Sequence, residues 1–243
     1  MSRKTYYKYR NTIDKDYYDY LEIKRIFEEG RKMYGYRRIK KGLLEQTGWI
    51  VNHKKILRIM KKYNLKVRYK DVFKINWKKK SVEVNIKPNL LNKNFKATKE
   101  NQKWVTDITY LIANGKRAYL STIMDLYTKK IIAYKISCTM DINLVINTLN
   151  EAIAKQKDVI GTIIHSDQGF QYTSYEYKQI CESNGILISM SRKSTPADNA
   201  PIESFHANLK RETLYSYNIT SLKEYIFLVN DWIKFYNTDR IRL

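Results

Sequence analysis

Asp107, Asp167 and Glu203 are the residues whose type and placement could do chemistry. Asp107 interrupts WVTDITYLIA, whose alternation predicts a strand, and a carboxylate there is unusual if both faces are covered. Asp167 follows the apolar run VIGTIIH, which reads as a buried strand. Ligand sites of α/β sheets gather at the C-terminal ends of such strands. Glu203 stands near the start of the helix expected from DNAPIESFHANLKRE. Each alone has an ordinary explanation: a lysine partner for Asp107, a turn for Asp167, a complement to the helix N-terminus for Glu203. Together, three carboxylates on separate elements of a basic protein need a cation to coexist. Hard oxygen ligands select Mg²⁺ or Mn²⁺ over zinc. Two such ions about 3.5–4 Å apart activate an attacking oxygen and stabilise a leaving 3′ oxygen in phosphodiester displacement. Lys210 lies seven residues past Glu203 on the same helical face, a candidate contact to nucleic acid, and His206 shares that face. Asp125 reads as a structural turn residue.

The elements that must carry these residues are legible in outline. WVTDITYLIA, RAYLSTIMDL and KIIAYKIS read as three strands, the first two joined at an Asn114-Gly115 hairpin signal. Asp141 caps a helix whose Ile142, Val145, Ile146, Leu149 and Ile153 keep helical spacing. The strand before Asp167 follows, then a helix capped by Ser174, the short strand GILISM, and a helix opened by Asp198 or Asn199 with Pro201 in its first turn. An antiparallel start followed by alternation predicts an α/β mixed sheet with flanking helices.

The front of the chain reads differently. Leu21, Ile23, Ile26 and Phe27 mark one helix, Ile39, Leu43 and Leu44 a second that breaks at Thr47-Gly48, and Ile56, Ile59 and Met60 a third capped by Asn52. The last two form a small all-α helix-turn-helix whose second helix would show Lys54, Lys55, Arg58 and Lys62 to a phosphate backbone or major groove. The organisation expected is therefore an N-terminal segment over 1–17, the helical DNA-binding domain over 18–68, a basic linker over 69–100 containing the run Trp77 to Lys80, a catalytic core over 101–225 and a C-terminal segment over 226–243.

Charge supports this division. The chain of 243 residues carries a net charge of +22. Residues 1–97 hold 28 Lys and Arg against 9 Asp and Glu, a net +19, which leaves +3 for residues 98–243. Such a front half calls for a polyanionic partner, double-stranded DNA before an anionic membrane. No run of 18 apolar residues and no signal-peptide pattern gives a membrane reading an anchor. Cys138 and Cys181, in apolar settings without metal-ligand spacing, read as buried, reduced thiols of a cytoplasmic protein.

The segments WVTDITYL, IMDLYTKKIIAYKIS, HSDQGFQYTS and MSRKSTPADNAPIESFHANLKRETLY resemble those of DDE transposases and retroviral integrases. Between Asp167 and Glu203 lie 35 residues, the spacing typical of that group. With NLLNKNFKATKENQKW, YGYRRI and NHKKILRIMKKYNL upstream, the chain is similar to the OrfB subunit of bacterial insertion sequences that make transposase by programmed frameshifting. The resemblance covers roughly residues 20–240 and implies an RNase H-like integrase core. It makes Asp107, Asp167 and Glu203 the catalytic and metal-binding triad, with two Mg²⁺ (or Mn²⁺) ions. It also implies cleavage of element ends followed by joining of the freed 3′ hydroxyl to DNA. A homo-oligomer on DNA, an upstream-frame subunit or fusion, and a bacterial, nucleoid-associated setting go with it. Two departures stand out. The family's segment near FYN continues through an Arg and a His, whereas here FYNTDRIRL ends at Leu243 with Arg242 at the expected His position, which reads as a truncated tail or a degenerate copy. The loop SRKSTPADNA lacks a glycine after its basic pair. The rival from another class is a catalytically weak or inactive transposase-derived DNA-binding regulator. A tyrosine or serine recombinase lacks its motif frame here, and an RNase H-type ribonuclease has no need of the basic front domain.

Overall fold

A computed structural model describes residues 14–67, 86–193 and 195–242. The chain divides into two compact units, Met1–Tyr69 with Asp239–Leu243, and Lys70–Thr238.

The first unit is built on three helices, α1 (Tyr17–Glu29), α2 (Tyr36–Thr47) and α3 (His53–Lys62). Its core is formed by Ile23, Ile26, Phe27, Tyr34, Ile39, Leu43, Ile56 and Ile59. Leu21 and Leu44, expected among the inward positions, are 41% and 50% exposed. Ile23, Ile26 and Phe27 keep i, i+3, i+4 spacing and fill the inward stripe, and Leu21 falls outside it. Gly48, at φ 70, ends α2 in the left-handed conformation that glycine adopts without strain. Asn52 caps α3 by accepting from the Lys54 backbone N–H at 2.9 Å. Gly42 permits close packing, since a Cβ there would meet Ile26 at 2.8 Å and Ile241 at 2.7 Å.

The second unit holds β1 (Lys103–Ala113), β2 (Lys116–Asp125), β3 (Ile131–Ser137), α4 (Ile142–Lys155), β4 (Ile163–Ser166), α5 (Tyr175–Ser183), β5 (Leu187–Met190), a 3₁₀ turn (Pro196–Asn199), α6 (Ala200–Glu212) and α7 (Leu222–Thr238). The sheet order is β3-β2-β1-β4-β5, with β1–β2 and β2–β3 antiparallel and β1–β4 and β4–β5 parallel. Asn114 (φ 46) and Gly115 (φ 70) turn the first hairpin with two positive φ angles, the conformation that matches strand twist. Asp141 and Ser174 cap α4 and α5, accepting from the Leu144 and Tyr177 backbone N–H groups.

Alternation along β1 sends Trp104, Thr106 and Ile108 to one face and Val105, Asp107 and Thr109 to the other. The first face packs with Val145, Leu149 and Ala152 of α4 and Tyr177 and Cys181 of α5. On β1, α6 and α7 provide the other cover. The aromatic cluster Phe205, Trp232 and Tyr236 joins these two helices, with ring centroids 4.9–5.5 Å apart.

Three boundaries read from sequence differ from these elements. The limit at residue 225 falls inside α7, because its buried positions Tyr225, Val229, Trp232, Ile233 and Tyr236 continue one helical period. The limit at residue 17 separates α1 from Asp14 and Asp16, which bond to α3. The linker's run Trp77 to Lys80 lies outside the described residues. Residues 86–100 belong with the second unit: Leu91 is buried, Leu90 N–H donates to Ser189 Oγ at 2.9 Å, and Asn89 reaches Asp198 at 3.0 Å. Cys181 is buried as expected, but Cys138, just past the end of β3, is exposed. Among the described residues no helix is long and apolar enough to cross a membrane.

His165 on β4 ties the sheet together beneath Asp167. It is fully buried, with Nδ1 2.7 Å from Ser189 Oγ and Nε2 3.0 Å from Ser191 Oγ. Burial holds its pKa down to about 4, so the folded state keeps it neutral where the unfolded chain takes a proton. A depressed imidazole pKa contributes stability fully present above about pH 6.5 and lost as pH falls towards 4. Within that window, denaturant unfolding should lose up to about 1.4 kcal/mol of stability per pH unit from this group. His165→Gln should flatten that slope. An unchanged slope would show that His165 is not its source.

Candidate active site

Asp107 lies in the middle of β1, its side chain 20% exposed. The parallel register of β1 and β4 pairs Lys103 with Ile163, Trp104 with Ile164 and Val105 with His165. Asp107 stands two residues past the last paired position of β1 and Asp167 two residues past that of β4, so both carboxylates lie beyond the same end of this ladder. Asp167 opens the loop after β4, and its Oδ1 accepts the Gly169 backbone N–H at 2.9 Å. A Cβ at Gly169 would sit 2.9 Å from that same oxygen, so a larger residue there would make the carboxylate shift. Gln168 donates to Ser191 O at 3.0 Å, and Ser166 Oγ to Asp167 O at 2.8 Å. Ser166, Gln168 and Gly169 thereby shape the loop around Asp167. The buried Tyr172 hydroxyl is 3.3 Å from Thr106 Oγ1. Burial raises its pKa well above the usual phenol value, and the negative charges of Asp107 and Asp167 push the same way.

Helix α6 supplies the third part. The 3₁₀ turn before it is braced by the buried Asp198, whose carboxylate accepts Arg192 at 2.9 Å through both oxygens and whose pKa that guanidinium lowers. Sequence offered Asp198 or Asn199 as the residue opening α6. Asn199 holds that place, but its side chain donates instead to Thr106 O at 3.0 Å and pins the helix start beside Asp107. Glu203 is exposed in the first turn of α6. His206, one turn on, is buried, with Nδ1 3.5 Å from Asp107 Oδ2 and Nε2 2.9 Å from Thr122 Oγ1. Lys210, a turn further, is half-buried. Burial lowers the pKa of its ammonium group, and attraction to Asp107 opposes that shift. At the C-terminal end of α6 the buried Glu212 accepts the Trp232 indole N–H at 3.1 Å.

The structure thus places Asp107 and Asp167 two residues beyond the same end of the β1–β4 ladder and brings α6, which carries Glu203, to Asp107 through His206 and Lys210. Among the described residues, no three His, Cys, Asp or Glu side chains are gathered as a ready-made metal cluster. Asp125 has the structural part expected of it, with Oδ1 accepting the Tyr127 and Thr128 backbone N–H groups and Oδ2 that of Asn101. Sequence reasoning did not single out Thr122 or Tyr172. Tyr172 sits in the quoted HSDQGFQYTS segment, but nothing local marks its hydroxyl as the partner of Thr106.

The basic face of α3 is arranged differently from its expected outward display. Lys55 pairs with Asp19 at 2.5 Å, and Arg58 grips Asp16 through both terminal nitrogens at 2.6 and 2.7 Å. Lys62 reaches Asp14 at 2.6 Å and Asp16 at 3.0 Å. Lys62 and Tyr63 lower the pKa of Asp14 to about 2, and Arg58 and Lys62 lower that of Asp16. Side chains of Lys54 and Lys61, exposed on the same helix, pair with no carboxylate among the described residues.

Comparison with known proteins agrees with this architecture. Residues 97–196 and 184–241 match integrase core domain models, and residues 16–72 match an HTH-like domain. The chain is 36% identical to InsK of insertion sequence element IS150 from Escherichia coli, assigned as a transposase, over 99% of this chain and 85% of that protein. It is also 36% identical to the transposase of insertion sequence element IS904 from Lactococcus lactis, over 90% of this chain and 87% of that one. A solved simian T-cell lymphotropic virus intasome shares the fold with a TM-score of 0.50 at 18% identity, covering 84% of this chain and 66% of that one. The mixed five-stranded sheet with its flanking helices is therefore the RNase H-like integrase core, preceded by a three-helix HTH-like region. The chain belongs to the transposase family of bacterial insertion sequences.

The ion pairs of the first unit carry a prediction. Depressed carboxylate pKa values give stability present above about pH 4 and lost as pH falls through the folded values, about 2 for Asp14. Asp16→Asn should lower the melting temperature at neutral pH and shrink its fall between pH 4 and 2. Equal melting curves for the two proteins across that range would remove Asp16 from this role.

Proposed function

We propose that this chain cleaves the DNA ends of an insertion sequence and joins the freed 3′ hydroxyl to DNA, with Asp107, Asp167 and Glu203 as its catalytic carboxylates. The observation that carries the reading is that Asp107 and Asp167 each follow the last β1–β4 pair by two residues, with the start of α6 tied to Thr106 beside Asp107. The donor set fits Mg²⁺ or Mn²⁺, because all three residues offer carboxylate oxygen and Gly169 leaves the Asp167 carboxylate uncovered by a Cβ. Asp107, Asp167 and Glu203 would hold two such ions, which supply Lewis acidity to the attacking and leaving oxygens. Asp107 rests on the sheet and Asp167 on the loop that leaves it, whereas Glu203 would complete the set from an exposed helical turn. Lys210, beside Asp107, contributes positive charge where the phosphate backbone would pass. Attack of water on phosphorus displaces the 3′ oxygen of one strand, and attack of that freed hydroxyl on a second phosphodiester joins the strands while displacing the 3′ oxygen of that second site, with no covalent protein–DNA bond.

Duplex DNA is the proposed partner of both units, with several copies acting on paired ends and an upstream-frame segment as a further contributor in the bacterial cytoplasm. The domains expected at 18–68 and 101–225 divide this work into holding and cutting. On α3, Lys54 contacts phosphate directly, with Lys61 beside it, while Lys55, Arg58 and Lys62 do so by exchanging carboxylate partners for phosphate. Lys54→Ala with Lys61→Ala should weaken duplex binding by the full chain. It should also reduce the slope of log K against log salt by about 0.9 for each phosphate no longer neutralised. An unaltered slope would place the DNA-binding surface elsewhere.

The catalytic reading is tested with labelled end DNA in Mg²⁺ and in Mn²⁺. Glu203→Gln should cut cleavage and joining by at least about 100-fold, the upper end of what losing a supporting partner costs, and leave DNA binding intact. Undiminished cleavage would sink the assignment. A wild-type chain that binds ends yet cuts in neither metal would instead favour the DNA-binding regulator.

A further inference from the structure

We propose that His206 is a positioning residue, orienting the Asp107 carboxylate and fixing its distance from the helix that carries Glu203. The inference rests on the catalytic reading above. His206 is 5% exposed, so its ring nitrogens depend on protein partners. Each has one polar neighbour: Nε2 is hydrogen-bonded with Thr122 Oγ1 at 2.9 Å and Nδ1 lies 3.5 Å from Asp107 Oδ2. Thr122 is fully buried and stands directly across the β1–β2 pair from Asp107. The imidazole therefore bridges a cross-strand pair from above. A Thr122 hydroxyl that donates to Nε2 leaves the ring proton on Nδ1, where it faces Asp107.

The other end of the link is equally defined. Glu203 precedes His206 by three residues, so the two share one face of α6. The helix cannot slide freely: Asn199 holds its start to Thr106 O at 3.0 Å, and Phe205 packs on Trp232 and Tyr236. A partner that fixes the orientation of a ligating carboxylate commonly changes metal affinity by about 10–100-fold when removed. A histidine that merely filled space would change melting temperature and leave metal affinity alone.

The test uses the full chain and measures Mn²⁺ binding directly, from the loss of the free-ion electron paramagnetic resonance signal, alongside melting temperature and affinity for end DNA. His206→Ala should weaken Mn²⁺ binding about tenfold or more while the affinity for end DNA is kept. His206→Gln, which can still donate to Asp107, should recover part of the loss. Thr122→Val, which keeps the ring but removes its tether, should show a smaller loss in the same direction. If His206→Ala fails to fold, the Gln and Val variants carry the comparison. Wild-type Mn²⁺ affinity in the folded His206 and Thr122 variants would overturn the proposal. Glu203→Gln and Asp107→Asn in the same measurement separate the two readings. If they lose Mn²⁺ while the His206 and Thr122 variants keep it, only this inference fails. If they too bind as wild type, the catalytic assignment fails with it.

Discussion

The parallel pairing of β1 with β4 is the constraint on which the candidate site depends. β1 is the middle strand of the sheet, antiparallel to β2 on one side and parallel to β4 on the other. The hairpin fixes which face Asp107 takes, and the parallel register sets where β4 ends and the loop carrying Asp167 begins beside β1. A slip of one residue in either pairing would turn one carboxylate to the opposite face and separate it from the other. The buried contacts of His165 with Ser189 and Ser191 guard that register on the β5 side. They secure β4 through side chains as well as through its backbone ladder.

Helix α6 then works as a bracket laid across β1. Its first turn is held by Asn199, its middle by the aromatic cluster with α7, and its last turn by the bond between Glu212 and Trp232. With both ends fixed, the face bearing Glu203, His206 and Lys210 has one attitude to Asp107. This explains why α7 belongs to the core. Without Trp232 and Tyr236, the helix carrying the third carboxylate would lose its outer support. Asp107 also meets charge of opposite sign in Lys210, whose half-buried ammonium is costly to hold except beside a carboxylate.

In the helical unit, the same cations that make the front half basic also hold the fold together. Asp14, Asp16 and Asp19 are nearly all the acid at the start of α1, and all three face α3. Arg58, Lys62 and Lys55 are thereby placed in a row at fixed spacing before any partner arrives. Exposed pairs of this kind contribute little each to stability and are weakened by salt. A phosphate backbone competes for them on similar terms, so the row is both a strut and a set of exchangeable contacts.

Much of the fold was legible in the sequence. Local rules placed the Asn114-Gly115 hairpin and the caps at Asn52, Asp141 and Ser174, because each depends only on neighbouring residues. Period-2 and period-3.6 patterns gave the order of strands and helices in the core. The motif segments marked Asp107, Asp167 and Glu203 as residues to watch. What sequence could not decide was everything set by residues far apart in the chain. The continuity of α7 past residue 225 follows from packing on α6. The pairing of Arg58, Lys55 and Lys62 with acids more than thirty positions away turned an expected outward face into a braced one. The contact of Thr122 with His206 spans 84 residues and that of Thr106 with Tyr172 spans 66. No local pattern records such contacts, because the hydrogen-bond partner of a buried hydroxyl or imidazole is chosen by whichever element the sheet and helices bring within about 3 Å. The sequence determined which side chains this protein has to work with, and tertiary packing alone decided which of them face one another.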